Sequence, residues 1–331
     1  MSQLDFLAVG DIVTEPFIRL KEAEILDRDS DNPKIAMRWG DKIPYESATL
    51  CRAVGNASNA AVSAARLGVS SALRAYIGND EYGKGNLEVL KQEGVSTEFI
   101  VTEEGKSSNY HYVLWYENDR TILVKHEEYT YTVPTLTESP KWVYLSSLAD
   151  HTLPYHQAIA SWLNEHPDTK LAFQPGTFQM KLGVEALKGL YERTELYVVN
   201  KDEARRVLGV ETHDLPTLLK GLHALGPKLV VITDNTNGAY ASDGTQAWHV
   251  PMYPDDREAF ERTGAGDAFA STLTSALALG KTFEEALLWA PINSMAVVQE
   301  IGAQKGLLTR AELEEHLARA PESYKLESLN A

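Results

Sequence analysis

Cysteine is almost absent from this chain, and so are basic clusters and long apolar runs. The single cysteine, Cys51, excludes an intramolecular disulfide and is predicted to be a small buried apolar residue rather than a nucleophile. Acidic residues outnumber basic ones by 47 to 31, and the net charge of −16 argues against a nucleic-acid partner. No apolar run approaches the roughly 20 residues that span a bilayer, so no membrane partner is expected.

The N-terminal segment carries no sign of export. It lacks a basic stretch, and Asp5 interrupts its apolar run, which is unlike a secretory signal. Together with the lone cysteine, this predicts a cytoplasmic protein. The apolar content of 44% over 331 residues is ample for a globular core.

The order of predicted strands and helices indicates an α/β fold. "LDFLAVGDIV" is typical of a buried strand ending at Gly10, "ASNAAVSAARLG" (57–68) of a helix, and "SSALRAYIG" (70–78) of the next strand. Strands then alternate with helices, which predicts a mainly parallel sheet covered on both faces. A hairpin is predicted at 238–250, and the last long helical segment is expected to break near Pro291.

Two segments depart from this alternation. Residues 21–50 are polar and contain proline, and they are too irregular to show an exposed strand edge, whereas residues 109–126 have two apolar runs around "ENDR" and predict a hairpin. We expect both segments to form a small β-lid over one edge of the sheet. The predicted organisation is a single domain over residues 1–331 with a discontinuous lid from about 16–52 and 107–127.

The stretch "ERTGAGDAFAS" (261–271) places two glycines and an acid at the start of a small-residue helix. The first turn of a helix leaves its N–H groups unpaired and carries partial positive charge, so an anion is the expected ligand. Asp267 would repel that anion, which suggests that the carboxylate handles a proton or a metal. The alternative is an acidic residue that only stabilises the helix N-terminus.

Other ligand motifs are incomplete. A P-loop would need glycine where Ile100 stands, and a dinucleotide fingerprint would need glycine where Phe269 stands. The nine histidines show no HExxH spacing, which argues against a catalytic zinc.

Four segments resemble one known family. "VGNASNAAVSAARLGVSSALRAYIG" (54–78) and "RTGAGDAFASTLTSALALG" (262–280) resemble the two signatures of the ribokinase-like (PfkB) carbohydrate kinases. "NKDE" (200–203) and "IGAQKG" (301–306) match two further family segments in the family's order. The resemblance runs from Leu4 to about Leu308. It implies a three-layer α/β/α ribokinase-like fold with a mainly parallel central sheet, and ATP-dependent phosphorylation of a sugar or sugar-like hydroxyl.

The resemblance also implies roles for particular residues. Asp267 would be the base that takes a proton from the substrate hydroxyl, and the amides of Gly264, Ala265 and Gly266 would form an anion hole for the transferring phosphoryl group. Because the family has Asp where Glu15 stands, a different or smaller substrate is expected here. The implied substrate contacts come from two loops: Asp11, Glu15, Gly55, Asn56 and Asn59.

The nucleotide and its metal are assigned by the same resemblance. The implied nucleotide contacts are Asn200, Thr233, Gly238 and Asn293, and Glu203 would organise Mg²⁺ through water. The alternative for Asn200 and Glu203 is a capping box at an ordinary helix start. Where the family has Asp-Thr this chain has Glu261-Arg262, so Glu261 is a candidate ligand for a monovalent cation such as K⁺, and Arg262 could pair with phosphate, replace the cation or point to solvent.

Two alternatives to a sugar kinase stay open at this point. A nucleoside kinase could stack a base on aromatics of the predicted lid, which could equally form lid core or a dimer surface: Trp39, Tyr45, Tyr110, Tyr112 and Trp115. A regulator that binds sugar or nucleotide without turnover is suggested only by Val54, Glu15 and Arg262, and the intact Asp267 argues against it. The resemblance also makes a homodimer through the lid plausible.

Overall fold

The computed structural model describes residues 4–30, 33–117, 119–255 and 257–329. Its strands, in chain order, are β1 Phe6–Val9, β2 Val13–Leu20, β3 Glu24–Leu26, β4 Lys34–Ala36, β5 Tyr45–Val54, β6 Ser71–Arg74, β7 Tyr76–Gly78, β8 Val101–Glu103, β9 Tyr112–Tyr116, β10 Asp119–Leu123, β11 Trp142–Leu145, β12 Lys170–Phe173, β13 Thr194–Asn200, β14 Leu229–Thr233, β15 Ala239–Ser242, β16 Ala247–Val250 and β17 Glu327–Leu329. The predicted single strand at 70–78 is thus two short strands, β6 and β7, which belong to different sheets.

The helices cover the sheet between these strands. They are α1 Asn56–Arg66, α2 Glu81–Gln92, α3 Leu153–Glu165, α4 Thr177–Leu182, α5 Lys188–Arg193, α6 Lys201–Leu208, α7 Leu215–His223, α8 Ala265–Ala278, α9 Phe283–Val297 and α10 Arg310–Ala318. The predicted break near Pro291 was wrong, because α9 continues through this residue. A proline removes only one backbone donor, and the buried residues around Pro291 hold the helix together. None of the described helices combines the length and the apolarity needed to cross a bilayer.

The central sheet has nine strands in the order β17-β16-β15-β14-β13-β12-β11-β1-β6. The strands from β14 to β6 run parallel, and β15, β16 and β17 add an antiparallel edge. The parallel strands are apolar on both faces, as β1 and β11 show with every residue buried. Two apolar clusters therefore form, one on each face of the sheet, which confirms the predicted three-layer architecture.

A second sheet of four strands has the order β10-β9-β2-β5, and we call it the lid. Its strands lie in or beside the two segments predicted for it, although β2 begins earlier, at Val13. The sequence of residues 21–50 is too irregular to reveal an exposed strand edge, and the structure has one: β5 is an edge strand whose residues are exposed from Tyr45 to Leu50. The short polar side chains in this half of β5 resemble those of a loop, because the strand has no buried face there.

Helices α1 and α8 pack closely because their facing residues are small. Most residues of both helices are alanine, serine or threonine and are buried. This packing places the N-terminal turns of the two helices side by side, although they come from opposite ends of the chain.

Candidate active site

A cleft of about 310 Å³ lies between the carboxyl ends of the central strands and the lid. Loops that follow parallel strands meet at this edge of the sheet, where ligands of α/β proteins commonly bind. The lining includes most of the predicted site residues: Glu15, Gly55, Asn56, Asn59, Asn200, Glu203, Thr233, Gly264, Gly266 and Asp267.

Asp267 lies in the first turn of α8 at the cleft, with only 8% of its surface exposed. Three side-chain amides donate to its carboxylate: Asn56 at 2.8 Å, Asn59 at 2.9 Å and Gln174 at 3.3 Å. A carboxylate offers roughly four acceptor positions, so room for one further donor remains. The amides hold both oxygens in place while leaving this acceptor free for a ligand hydroxyl.

The pKa of Asp267 is set by two opposing effects. Burial raises its pKa above the ordinary value, whereas the hydrogen bonds from Asn59, Asn56 and Gln174 lower it. The net direction is upward. A carboxylate with a raised pKa is a stronger base than a solvated aspartate, and the three amides favour its ionised form, which is the one that can accept a proton.

The two glycines of the turn before α8 have different physical reasons to be glycine. Gly264 caps the helix with φ of 85°, and a Cβ there would lie 2.4 Å from Cβ of Ala303. Gly266 is helical, and the nearest atom to a Cβ there would be Nε2 of Gln174 at 3.8 Å. Packing therefore demands glycine at 264, whereas at 266 a side chain would project into the cleft.

The two predicted substrate carboxylates near β1 are each paired with a histidine. Oε1 of Glu15, which lines the cleft, lies 3.1 Å from Nδ1 of His111. Asp11 is buried away from the cleft lining, with Oδ2 3.4 Å from Nε2 of His126. Burial raises the pKa of Asp11 to about 7 and lowers that of His126 to about 4. Glu15, rather than Asp11, is therefore the carboxylate that lines the cleft.

Asn200 and Glu203 form the capping box of α6 and also line the cleft. The Asn200 side chain accepts from the N–H of Glu203 at 2.9 Å, and Oε2 of Glu203 accepts from the N–H of Asn200 at 2.8 Å. Burial raises the pKa of Glu203. The capping box that the sequence offered as the alternative is thus present. It is compatible with ligand binding, because among the contacts of the described residues the cap uses only Oε2 of Glu203.

Two predicted nucleotide contacts do not lie at the cleft. Asn293 is completely buried, donating to Oγ1 of Thr272 at 2.8 Å and accepting from the N–H of Leu308 at 2.9 Å, so it joins α8, α9 and the C-terminal segment. Gly238 has φ of 82°, and a Cβ there would lie 2.2 Å from the carbonyl oxygen of Val250. Three residues earlier, Asn235 adopts the left-handed conformation with φ of 49°, which asparagine tolerates better than most other residues.

The sequence analysis did not assign Gln174 or Arg120, which line the cleft. Gln174 follows β12 and also contacts the Tyr144 hydroxyl, and a polar residue directly after a buried strand was the available signal. Arg120 reaches the cleft from β10 of the lid, and no local motif marks it. Arg262, whose role was left open, is exposed at the rim.

The lid aromatics lie elsewhere. The described cleft lining contains no aromatic residue. Tyr110 packs against Tyr112 with ring centres 5.1 Å apart, Trp39 is fully exposed, and Trp115 is buried.

Cys51 is half-buried rather than fully buried, and burial raises the pKa of its thiol to about 11, so the thiolate is disfavoured.

A buried carboxylate beside an open glycine turn at a helix N-terminus, above the carboxyl ends of parallel strands, can hold a hydroxyl and an anion side by side, which is what phosphoryl transfer to an alcohol requires. The chain belongs to the pfkB family of carbohydrate kinases, whose model matches residues 25–310. The protein is accordingly a kinase with a sugar hydroxyl as acceptor, and its family uses ATP.

Individual relatives agree with this assignment. The chain is 28% identical to a ribokinase of Bacillus subtilis, over 80% of this chain and 87% of the relative. It is also 28% identical to an ATP-dependent 6-phosphofructokinase of Thermoanaerobacterium thermosaccharolyticum, over 70% of this chain and 74% of the relative. A ribokinase structure from Arabidopsis thaliana, complexed with ribose and ATP, superposes with a TM-score of 0.75 at 18% identity, covering 96% and 99% of the two chains.

Proposed function

We propose that this protein transfers the γ-phosphoryl group of Mg-ATP to a hydroxyl of a sugar or sugar-like substrate, with Asp267 as the general base. The observation that supports the role of Asp267 is its burial at the cleft under three amide donors. The carboxylate accepts the proton of the substrate hydroxyl, the hydroxyl oxygen bonds to the γ-phosphorus, and the bond from that phosphorus to the bridging oxygen of ADP breaks.

The turn from Gly264 to Gly266 is proposed to hold the transferring phosphoryl group. Its amides lie at the N-terminus of α8, where N–H groups lack intrahelical partners and the helix dipole favours negative charge. The open space at Gly266 lets the phosphoryl group approach the backbone directly.

Glu203 and Asn200 fit a site for Mg²⁺ bound with the nucleotide. Mg²⁺ commonly keeps several waters and uses one or two carboxylates together with substrate phosphates, and the described chain has no cluster of three or more acidic, histidine or cysteine ligands. When bound, Mg²⁺ neutralises charge developing on the phosphate oxygens. Thr233 would contact the nucleotide beside this pair, whereas the assignment of Glu261 to K⁺ stays a prediction.

The substrate is proposed to lie between Glu15, Asn59 and the backbone at Gly55. Glu15 is fixed by His111, so its free oxygen can accept a hydrogen bond from a sugar hydroxyl. A sugar is favoured over a nucleoside because the described lining offers no aromatic ring for a base to stack on. Asn56 also lines this pocket and holds Asp267, whereas Asp11 would support the pocket from behind.

The first test is phosphoryl transfer from Mg-ATP to a panel of pentoses, hexoses, keto-sugar acids, phosphosugars and nucleosides. We expect one sugar class to turn over strongly and Asp267→Asn to lower kcat by about 10²–10⁴-fold while ATP still binds. Strong turnover of a nucleoside alone would favour the nucleoside alternative. Unchanged activity in Asp267→Asn would remove the general base.

We also propose that two copies associate through the lid. Strand β5 is an unpaired edge that exposes Tyr45 and Leu50, and such edges pair readily with another strand. Light scattering of the wild type and of Leu50→Lys tests this: a dimer that the substitution dissociates is expected, and a monomeric wild type would refute it.

A further inference from the structure

A cross-strand pair of the lid hairpin contacts the loop that precedes the proposed phosphate-binding turn. Trp115 on β9 and Arg120 on β10 lie directly opposite each other in the antiparallel register. Residues paired in this way project from the same face of a sheet. Their two side chains contact consecutive residues of the loop before α8, namely Phe260 and Glu261.

The first contact is aromatic. The rings of Trp115 and Phe260 lie 5.3 Å apart at an interplanar angle of 82°, the edge-to-face arrangement that aromatic pairs prefer. Trp115 is only 4% exposed, and its indole N–H donates to the carbonyl oxygen of Glu117 at 3.1 Å. This ring therefore has a fixed orientation against the loop.

The second contact is electrostatic. Glu261 is 2% exposed, and Nε of Arg120 lies 3.9 Å from its Oε1. Among the described residues, Arg120 is the one cation within 4.0 Å of this carboxylate, and Oε2 has no hydrogen-bond partner. A buried carboxylate without a nearby positive charge is costly, so the charge of Arg120 matters to the loop that carries Glu261.

Glu261 connects the Arg120 contact to the turn through hydrogen bonds. Its Oε1 accepts from the N–H of Thr263 at 2.8 Å and from the Thr263 hydroxyl at 2.6 Å. The backbone N–H groups of Phe260 and Glu261 both donate to the carbonyl oxygen of Val298, at 2.9 and 3.1 Å. Gly264, the cap of α8, follows directly.

We propose that Arg120 is a positioning residue for the phosphate-binding turn. Its guanidinium neutralises Glu261 and, together with Trp115, couples the seating of the lid hairpin to the conformation of residues 261–264. This coupling rests on the proposed function only because that function assigns the turn its role in phosphoryl transfer. Phosphoryl transfer is therefore efficient only when the lid is seated.

Hydrogen–deuterium exchange tests the coupling without any substrate. In Arg120→Ala we expect peptides covering 259–267 to exchange at least about fivefold faster than in the wild type. Arg28→Ala is the matched control, because it removes an arginine between β3 and β4 that pairs with Glu117, next to β9, at 2.9 Å. Unchanged exchange in Arg120→Ala, or an equal change in both variants, would overturn the proposal whether or not the protein is a kinase.

Kinetics with the acceptor found in the panel separate charge neutralisation from a direct substrate contact. We expect Arg120→Ala to lower kcat by about 10- to 100-fold. Arg120→Lys should retain most of kcat, because it keeps the positive charge. Added ethylguanidinium should restore part of the lost kcat to Arg120→Ala. The double variant Arg120→Met/Glu261→Gln should be more active than Arg120→Met. A rise only in the KM for the acceptor, with no gain from ethylguanidinium or from Glu261→Gln, would overturn the proposal and make Arg120 a substrate contact.

Discussion

The side-chain amide of Asn59 donates to Oδ2 of Asp267 at 2.9 Å, although the two residues are 208 positions apart in sequence. The contact joins the first turn of α8 to the helix that follows the lid strand β5. Because a hydrogen bond to the charged form stabilises that form, Asn59 lowers the pKa of Asp267 against the effect of burial.

Removing this amide should shift the pH dependence of catalysis. In Asn59→Ala the pKa of Asp267 is expected to rise further, because the variant loses a hydrogen bond that stabilises the charged carboxylate. The base is then protonated at higher pH, so the acidic limb of the kcat profile moves upward. The measurement is kcat against pH for the wild type and Asn59→Ala. A lower kcat with an unmoved limb would show that Asn59 does not control the pKa of Asp267.

The glycines at 264 and 266 should respond differently to alanine. Gly266→Ala has space and a helical backbone, so the fold should be retained or stabilised by about 0.5–1 kcal/mol, while kcat falls about 100-fold because the methyl group occupies the phosphoryl position. Gly264→Ala should lose at least about 1 kcal/mol, because φ of 85° is strained for alanine and Ala303 is too close. Denaturant unfolding and kcat together check both variants, and an active Gly266→Ala would place the phosphoryl group elsewhere.

The variant Glu203→Gln distinguishes the helix-capping role of Glu203 from its proposed role in binding Mg²⁺. In Glu203→Gln the amide oxygen can still accept from the N–H of Asn200, so the free energy of unfolding should change by less than about 0.5 kcal/mol. The lost charge should raise the Mg²⁺ concentration for half-maximal activity by about tenfold. Mg²⁺ titrations at fixed ATP provide the measurement. An unchanged Mg²⁺ requirement would leave Glu203 with the capping role alone.

Asn293 should act on stability and not on the nucleotide. Asn293→Ala removes the bonds to Thr272 and Leu308 inside the core and should cost about 1–3 kcal/mol of unfolding free energy. The KM for ATP is expected to stay within about twofold of the wild type, since Asn293 is absent from the described cleft lining. A specific rise in that KM would restore the nucleotide contact predicted from the sequence.

Sequence reasoning reached the central sheet because parallel strands leave a plain signal, a short apolar run bounded by polar loops, as in β1. It did not identify the edge strand β5, because one half of this strand has no buried face and its apolar and polar residues do not alternate. It failed at Pro291 because the local rule for proline ignores the packing that surrounds α9.

The candidate site shows the same division. Asp267 and the glycines before it lie in one continuous stretch, so a motif could predict them. Gln174 follows β12 and Arg120 lies on β10, and only the fold brings them to the cleft. Asn293 was assigned by position alone, and its distance from the cleft follows from how α9 packs against α8, which no local pattern reports.

The order of the central sheet has a consequence for synthesis of the chain. Strand β1 lies between β6 and β11, so during synthesis it stays incomplete on one side until residue 145 has emerged from the ribosome. Asp267 follows much later, and Gln304 donates to Oδ1 of Asn59 at 3.0 Å, so the amides around the carboxylate are set only after residue 304 has emerged. The cleft is therefore expected to take its final form only once residue 304 has joined the fold.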